Sequence, residues 1–306
     1  MKSRPTSRRL PLDRPLRIEW LTLGLWATCM AMWGLALFVL PGVWAWVAMV
    51  FTLVLHASLT HEVLHGHPFP SRRASEALVW VNPGLFIPYL RFRDTHLAHH
   101  QDANLTDPYD DPETNYLDPE SWARLPSLVR AALQLNNTLA GRMLIGPVVA
   151  QVMFMRADWD AIRAGDGQVL RGWVMHVPGV VLVLGIVSLS AMPMLHYIAA
   201  CYVALSVLKI RTFLEHQAHE KARGRTVIIE DRGPLAFLFL NNNFHVVHHM
   251  HPRVPWYRLP ALYRAHRDRY LRCNEGYLYR SYTQVFARHF LRAKDPVAHP
   301  LWSSEN

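Results

Sequence analysis

Apolar positions in this chain come in long unbroken runs, not in the alternating or three-to-four spacing of a water-soluble fold. Residues 18–40 (IEWLTLGLWATCMAMWGLALFVL) carry one charge, Glu19, at their edge. That length crosses a hydrocarbon layer of about 30 Å. Pro41-Gly42 forces a reversal, and residues 43–58 are again free of charge. Two more runs, near 172–192 and 194–214 with Pro193 between them, repeat the arrangement. The pattern predicts an all-α membrane protein: four transmembrane helices in two hairpins, with a cytoplasmic helical cap.

The polar stretches fill in the rest. A basic cytoplasmic N-terminus (1–17) precedes the first hairpin (18–65). A cytoplasmic or interfacial insertion follows (66–171), then the second hairpin (172–216) and the cap (217–306). Within the insertion, residues 77–92 are apolar and aromatic but broken by Pro83, Gly84 and Pro88, so they lie in the interface or dip into the bilayer. Residues 125–155 mix apolar runs with Arg130 and Arg142, and read as a surface-lying amphipathic helix. Helices are expected in the cap near 259–271 and 282–291.

Charge sets the orientation. The formal net charge is +9 and the pI near 9.7. Arg and Lys crowd the N-terminus, the insertion and the last third, whereas the two hairpin turns have none. Termini and large loops are therefore expected on the cytoplasmic side of the inner or plasma membrane. Basic residues flanking apolar spans account for the charge without nucleic acid as a partner. Lys2, Arg4, Arg8, Arg9, Arg14 and Arg17 would also suit a signal peptide. The run after them exceeds the roughly 7–15-residue core of such a peptide, and reads as a retained span. Cys29, Cys201 and Cys273 have neither disulfide-framework nor zinc-finger spacing and read as packing residues.

The chemistry lies in histidines. His96, His99 and His100 stand at i, i+3 and i+4 in HLAHH, so on a helix they share one face. His245, His248 and His249 repeat the spacing in HVVHH, and His61 and His65 stand one turn apart in HEVLH. A helix from Val43 places His61 and His65 at or just past the membrane edge, and the other groups also fall near that edge. Neutral imidazole suits iron, zinc and copper, and one ion takes four to six ligands, so eight or nine histidines imply two ions. His56, His67, His176, His196, His219 and His251 lie in spans or beside the boxes without the spacing. His266, His289 and His299 read as surface residues of the cap.

The boxes HEVLH, HLAHH and HVVHH make residues 55–262 resemble the membrane fatty acid desaturase and hydroxylase superfamily. The resemblance implies two non-haem irons beneath a cytoplasmic cap, and a further ligand at the end of the fourth span. The match there is RTFLEH, ending at His216. The implied metal set is His61, His65, His96, His99, His100, His216, His245, His248 and His249. The short first box, and Thr212 where acyl-CoA enzymes have asparagine, favour an acyl-lipid type of fatty acyl desaturase. Lipid hydroxylases and carotenoid ketolases or hydroxylases also look like this, including the Pro255-Trp256 and Leu259-Pro260 pattern after the third box.

A metal-bound histidine gives its other N–H to a carboxylate or carbonyl. Candidates for that role are Glu62, Asp94, Asp102, Asp107, Asp110, Asp111 and Glu215, with Asn241 heading an Asn tract that offers an amide. The acidic loop 107–113 (DPYDDPE) reads first as a solvated turn, with one or two members orienting ligands. Trp80, Phe86, Tyr89 and Phe92 line the substrate path or serve as interfacial anchors, with equal claim. The expected partners are dioxygen, a fatty acyl or other lipid substrate, membrane lipids and an external, ferredoxin-like electron donor. The last follows because the chain has no iron–sulfur, haem or flavin motif. A divalent-metal transporter would need ligands near the bilayer midplane, and a haem protein would need facing histidines within spans.

Overall fold

The computed structural model describes residues 18–101 and 103–302, so the basic segment 1–17 and Asp102 lie outside the described residues. Among the described residues, four helices are long and apolar enough to cross a membrane: Trp20–Phe38, Gly42–Leu64, Gly167–Ser188 and Met194–Thr212. The first two form a hairpin closed at Pro41, where Gly42 takes a positive φ of 50°. The last two form a second hairpin closed before Met194. Ala191 N donates to Leu37 O (3.1 Å), so both turns meet at one end of the bundle. At the other end Glu19 N donates to Pro68 O (2.9 Å), and the buried pair Glu19–His67 (2.7 Å) ties the start of the first helix to the end of the second. We call this end the histidine side.

The second helix is the axis of the molecule. From Thr52 to Leu64 nearly every residue is buried, whereas the half nearer Gly42 faces outward on most sides. It packs against the first and fourth spanning helices. Ser58 Oγ donates to Leu238 O (2.8 Å), which fixes the cap over its end.

Residues between 80 and 88 dip into the bundle, one of the two placements their prolines allowed. Tyr197 sits in the first turn of the fourth span, roughly 22 Å from its far end at 1.5 Å per residue. Its hydroxyl donates to Pro83 O (2.7 Å) and accepts from Trp33 Nε1 (3.1 Å). His176, midway along the third span, donates through Nε2 to Leu85 O (2.6 Å). Asn82 Nδ2 donates to Ile87 O (2.9 Å) and Gln151 Nε2 to Phe86 O (3.1 Å). Irregular backbone at membrane depth survives only where protein groups replace water as partners, and these side chains supply them.

Residues 125–155 do not form one surface helix. They contribute to three helices, Ser127–Asn136, Leu139–Leu144 and Gly146–Arg163, the last opened by Pro147. Arg142 is buried, donating to Asn136 O (2.8 Å) and Asn115 Oδ1 (2.5 Å). A buried guanidinium with fixed carbonyl partners cannot belong to a solvated face. In the cap, the expected helix over 259–271 is broken at His266 into Leu259–Ala265 and Arg267–Cys273. The parallel two-residue strands Ile228–Ile229 and Leu278–Tyr279 hold the cap together. His289 and His299, expected at the surface, are buried and bonded to Tyr279 (2.8 Å) and Thr106 (3.3 Å).

Tyr197→Phe strands the Pro83 carbonyl and the Trp33 N–H together, and should lower stability by about 1–3 kcal/mol. Thermal unfolding in detergent measures it, with the exposed Tyr109→Phe as reference; equal midpoints for the two variants would contradict the role given to the dipping loop.

Candidate metal centre

The three boxes ride on short, well-anchored elements. His61 and His65 close the second spanning helix, and the helix Tyr89–His99 carries His96 and His99 with His100 as its C-cap. The helix His245–Met250 carries the third box. His216 lies just beyond the fourth span, where a bridge to Thr226 pins its backbone.

All nine histidines converge, and they sort into two groups. One holds His61, His65, His96, His100 and His248; the other holds His99, His216, His245 and His249. Within each group, one ring nitrogen from each histidine lies within 4.8 Å of those of the others. In the first group, His96 Nε2 is 3.0 Å from both His61 Nε2 and His100 Nε2, and His248 Nε2 is 3.2 Å from His100 Nε2. In the second, His216 Nε2 is 2.9 Å from His99 Nε2 and 3.2 Å from His245 Nε2. Adjacent ligands on one ion at metal–nitrogen distances of about 2.1 Å stand about 3 Å apart when they subtend a right angle.

Protonation fits the same reading. Asp111 Oδ1 accepts from His99 Nδ1 (2.7 Å) and Glu113 Oε1 from His96 Nδ1 (2.9 Å). A carboxylate only accepts, so Nδ1 of each carries a proton, and Nε2 is the nitrogen that faces into each group. The buried His65 Nε2 has no hydrogen-bond partner. Burial, and then the charge that neighbouring imidazoles would carry, hold His100, His216, His245 and His248 well below the ordinary histidine range. They stay neutral, the form that binds a metal. His99 is the exception: burial opposes its charge, but Glu113 and Asp111 lift it to about 9. Burial also opposes the Glu113 carboxylate, yet His96 and His99 hold it well below the usual range. Nine converging imidazoles, with His99 releasing its second proton on binding, suit one cation in each group.

The orienting groups are partly those the sequence suggested. Asp111 and Glu113 come from the acidic loop. Asp107 instead accepts from Tyr109 N (2.8 Å) and Asp110 N (3.0 Å), shaping the turn. Asp94 pairs with Arg93 (2.7 Å). Glu62 accepts from Trp256 N (3.1 Å), joining the first box to the segment after the third. Glu215 pairs with Arg211 (3.0 Å) and lies 3.8 Å from His245 Nδ1. The Asn tract does supply an amide, but from Asn242: its Oδ1 faces His245 Nδ1 (3.2 Å) and its Nδ2 donates to Glu215 (3.2 Å). Asn241, at a positive φ of 56°, donates to Trp256 O (3.1 Å). Glu113 is the residue the sequence singled out least, because nothing in DPYDDPE separates it from its solvated neighbours.

Of the four aromatic residues proposed as lining, Phe92 sits against a histidine, its ring 5.7 Å from that of His96. Tyr89 is buried among Val63, Leu64 and Val79, Phe86 packs on the main apolar core, and Trp80 O lies next to Gly179.

Metal analysis of the purified protein should find two ions per chain, falling toward one in His216→Ala and in His248→Ala, which strike different groups. Asp111→Asn should weaken metal retention about 10–100-fold. An unchanged metal content in all three variants would count against both sites.

A beta-carotene ketolase from Paracoccus sp. (strain N81106 / MBIC 01143) is 22% identical to this chain over 222 residues, which cover 71% of the chain and 74% of the ketolase. The sequence profile described as "Fatty acid desaturase" matches residues 36–283, from the first hairpin through the third histidine box and into the cap. The chain belongs to the fatty acid desaturase family.

Proposed function

We propose that the two histidine groups hold two non-haem irons, and that the protein is an oxygen-dependent oxidoreductase acting on unactivated C–H bonds of a lipid chain. The division of nine histidines into compact groups of five and four carries this reading. Its setting at one end of four membrane-spanning helices supports a substrate delivered from the bilayer. Bound irons would supply dioxygen activation, which no side chain in this cluster can perform alone. The chain itself positions and insulates. Asp111 and Glu113 hold the Nδ1 protons of His99 and His96 and fix both rings. Asn242 does the same for His245. Burial of His61, His96, His99, His245 and His248 to 3% exposure or less keeps bulk water from the centre. Phe92 provides an apolar surface beside His96 against which a hydrocarbon chain can lie.

Desaturation of a fatty acyl chain, of the acyl-lipid type, is the first reading. Ketolation or hydroxylation of a carotenoid is the second, favoured by the similarity to the Paracoccus ketolase. The abundance of Arg and Lys on the histidine side, against none in either hairpin turn, supports a cytoplasmic active site in the inner or plasma membrane. Electrons would come from a separate, ferredoxin-like protein, for which the Arg-rich cap offers a basic landing surface.

Expression in a host of defined lipid content, with and without carotenoid, followed by mass spectrometry, names the reaction. Loss of two hydrogens from fatty acids marks desaturation, and gain of oxygen on a fatty acid or pigment marks the alternatives. His99→Ala should abolish conversion while leaving the protein in the membrane; turnover at the parental rate would remove the second histidine group from the mechanism.

A further inference from the structure

Helix Gly146–Arg163 is, among the described residues, the longest outside the four spans, and its two ends differ. Residues 146–155 (GPVVAQVMFM) carry no charge, whereas Arg156, Asp158, Asp160 and Arg163 follow in quick succession. Val148, Val152 and Met155 are 52%, 60% and 50% exposed and line one stripe of the helix, with Trp159 continuing it at the charged end. We propose that residues 144–155 are inserted in the bilayer from the histidine side to about half its depth, and that lipid acyl chains cover this stripe.

Two independent measures of depth agree. The charged end is fixed in height by Asp158, which takes both Arg91 Nε (2.9 Å) and Nη2 (2.8 Å) and also accepts from Trp173 Nε1 (2.8 Å). Trp173 follows Arg171, after which the third span carries no further Asp, Glu, Lys or Arg. The charge boundaries of the two helices are thus level. From Arg156 back to Gly146 the helix descends roughly 15 Å. At its foot, Leu144 O accepts from the hydroxyl of Tyr202, which lies roughly 15 Å along the fourth span from Thr212. Midway down, Gln151 Nε2 donates to Phe86 O (3.1 Å), which joins the helix to the dipping loop.

The exposed stripe is continuous in kind with the third span, whose Val174, Val177 and Val181 are exposed in the same way. Apolar exposure of this extent is not left to water. A tryptophan at the charge boundary is the usual mark of a membrane interface. The protein therefore occupies the leaflet on its histidine side with more helices than the opposite leaflet.

The test uses the full-length protein with Cys273→Ser, because Cys29 and Cys201 are buried. Val148→Cys and Met155→Cys are placed singly, labelled with bimane, and reconstituted in phosphatidylcholine vesicles brominated near the headgroup or near the chain end. Both side chains point away from the protein, so the changes remove little packing. The label at Val148→Cys should be quenched several-fold more by deep than by shallow bromine, with the order reversed at Met155→Cys. Each free thiol should react with a membrane-impermeant maleimide several-fold more slowly than that of the exposed Asp160→Cys. Reaction of Val148→Cys as fast as Asp160→Cys would mean that water covers the stripe. Absence of quenching at either depth would mean that water or a second copy of the chain covers it. Either result overturns the proposal.

Discussion

Nine imidazoles must be packed together at the edge of an apolar slab with almost none of them carrying charge, and most of the architecture serves that requirement. A protonated histidine there would meet both the cost of burial and the repulsion of its neighbours. The chain meets the constraint by burying the rings, which keeps most of them neutral, and by hydrogen-bonding carboxylates to the outward nitrogens. Asp111 and Glu113 bond the outward nitrogens of His99 and His96, and the second oxygen of Glu113 lies 4.0 Å from the inward nitrogen of His99. Ligand direction is thereby set by residues that need not touch the ion.

The second spanning helix shows how the membrane part and the site share one scaffold. Its inner half packs against the first and fourth spans, and its last turn delivers His61 and His65. Glu62, between them, accepts from Trp256 N, so the first box and the segment after the third are bonded directly. The dipping loop and the segment 139–163 then fill the bundle on the side of the third span. Each satisfies its irregular backbone with a side chain from a spanning helix.

What could be read in the sequence was whatever is local. Uncharged runs of helix length located the four spans to within about five residues, and the histidine spacing selected eight of the nine members of the two groups, the ninth, His216, being supplied by family resemblance. What stayed hidden depends on residues distant in the chain. The depth of Pro83 is set by Tyr197, and Arg142 is buried because Asn115 and Asn136 come to meet it. Asn242 faces His245 while Asn241 turns to Trp256, a choice made by a left-handed backbone at Asn241 that composition does not reveal. In the acidic loop, Asp107 and Asp111 have the same side chain and opposite tasks, and only the path of the turn separates them.

Asp111 has a wider consequence. Besides facing His99, its carboxylate accepts from Thr106 N (2.9 Å) and Glu113 N (3.0 Å). One buried anion thus folds the loop, places the neighbouring glutamate and aims a ligand. Ligand geometry on one side and loop shape on the other are coupled through a single pair of oxygens, and a loss of order in either is transmitted to its counterpart.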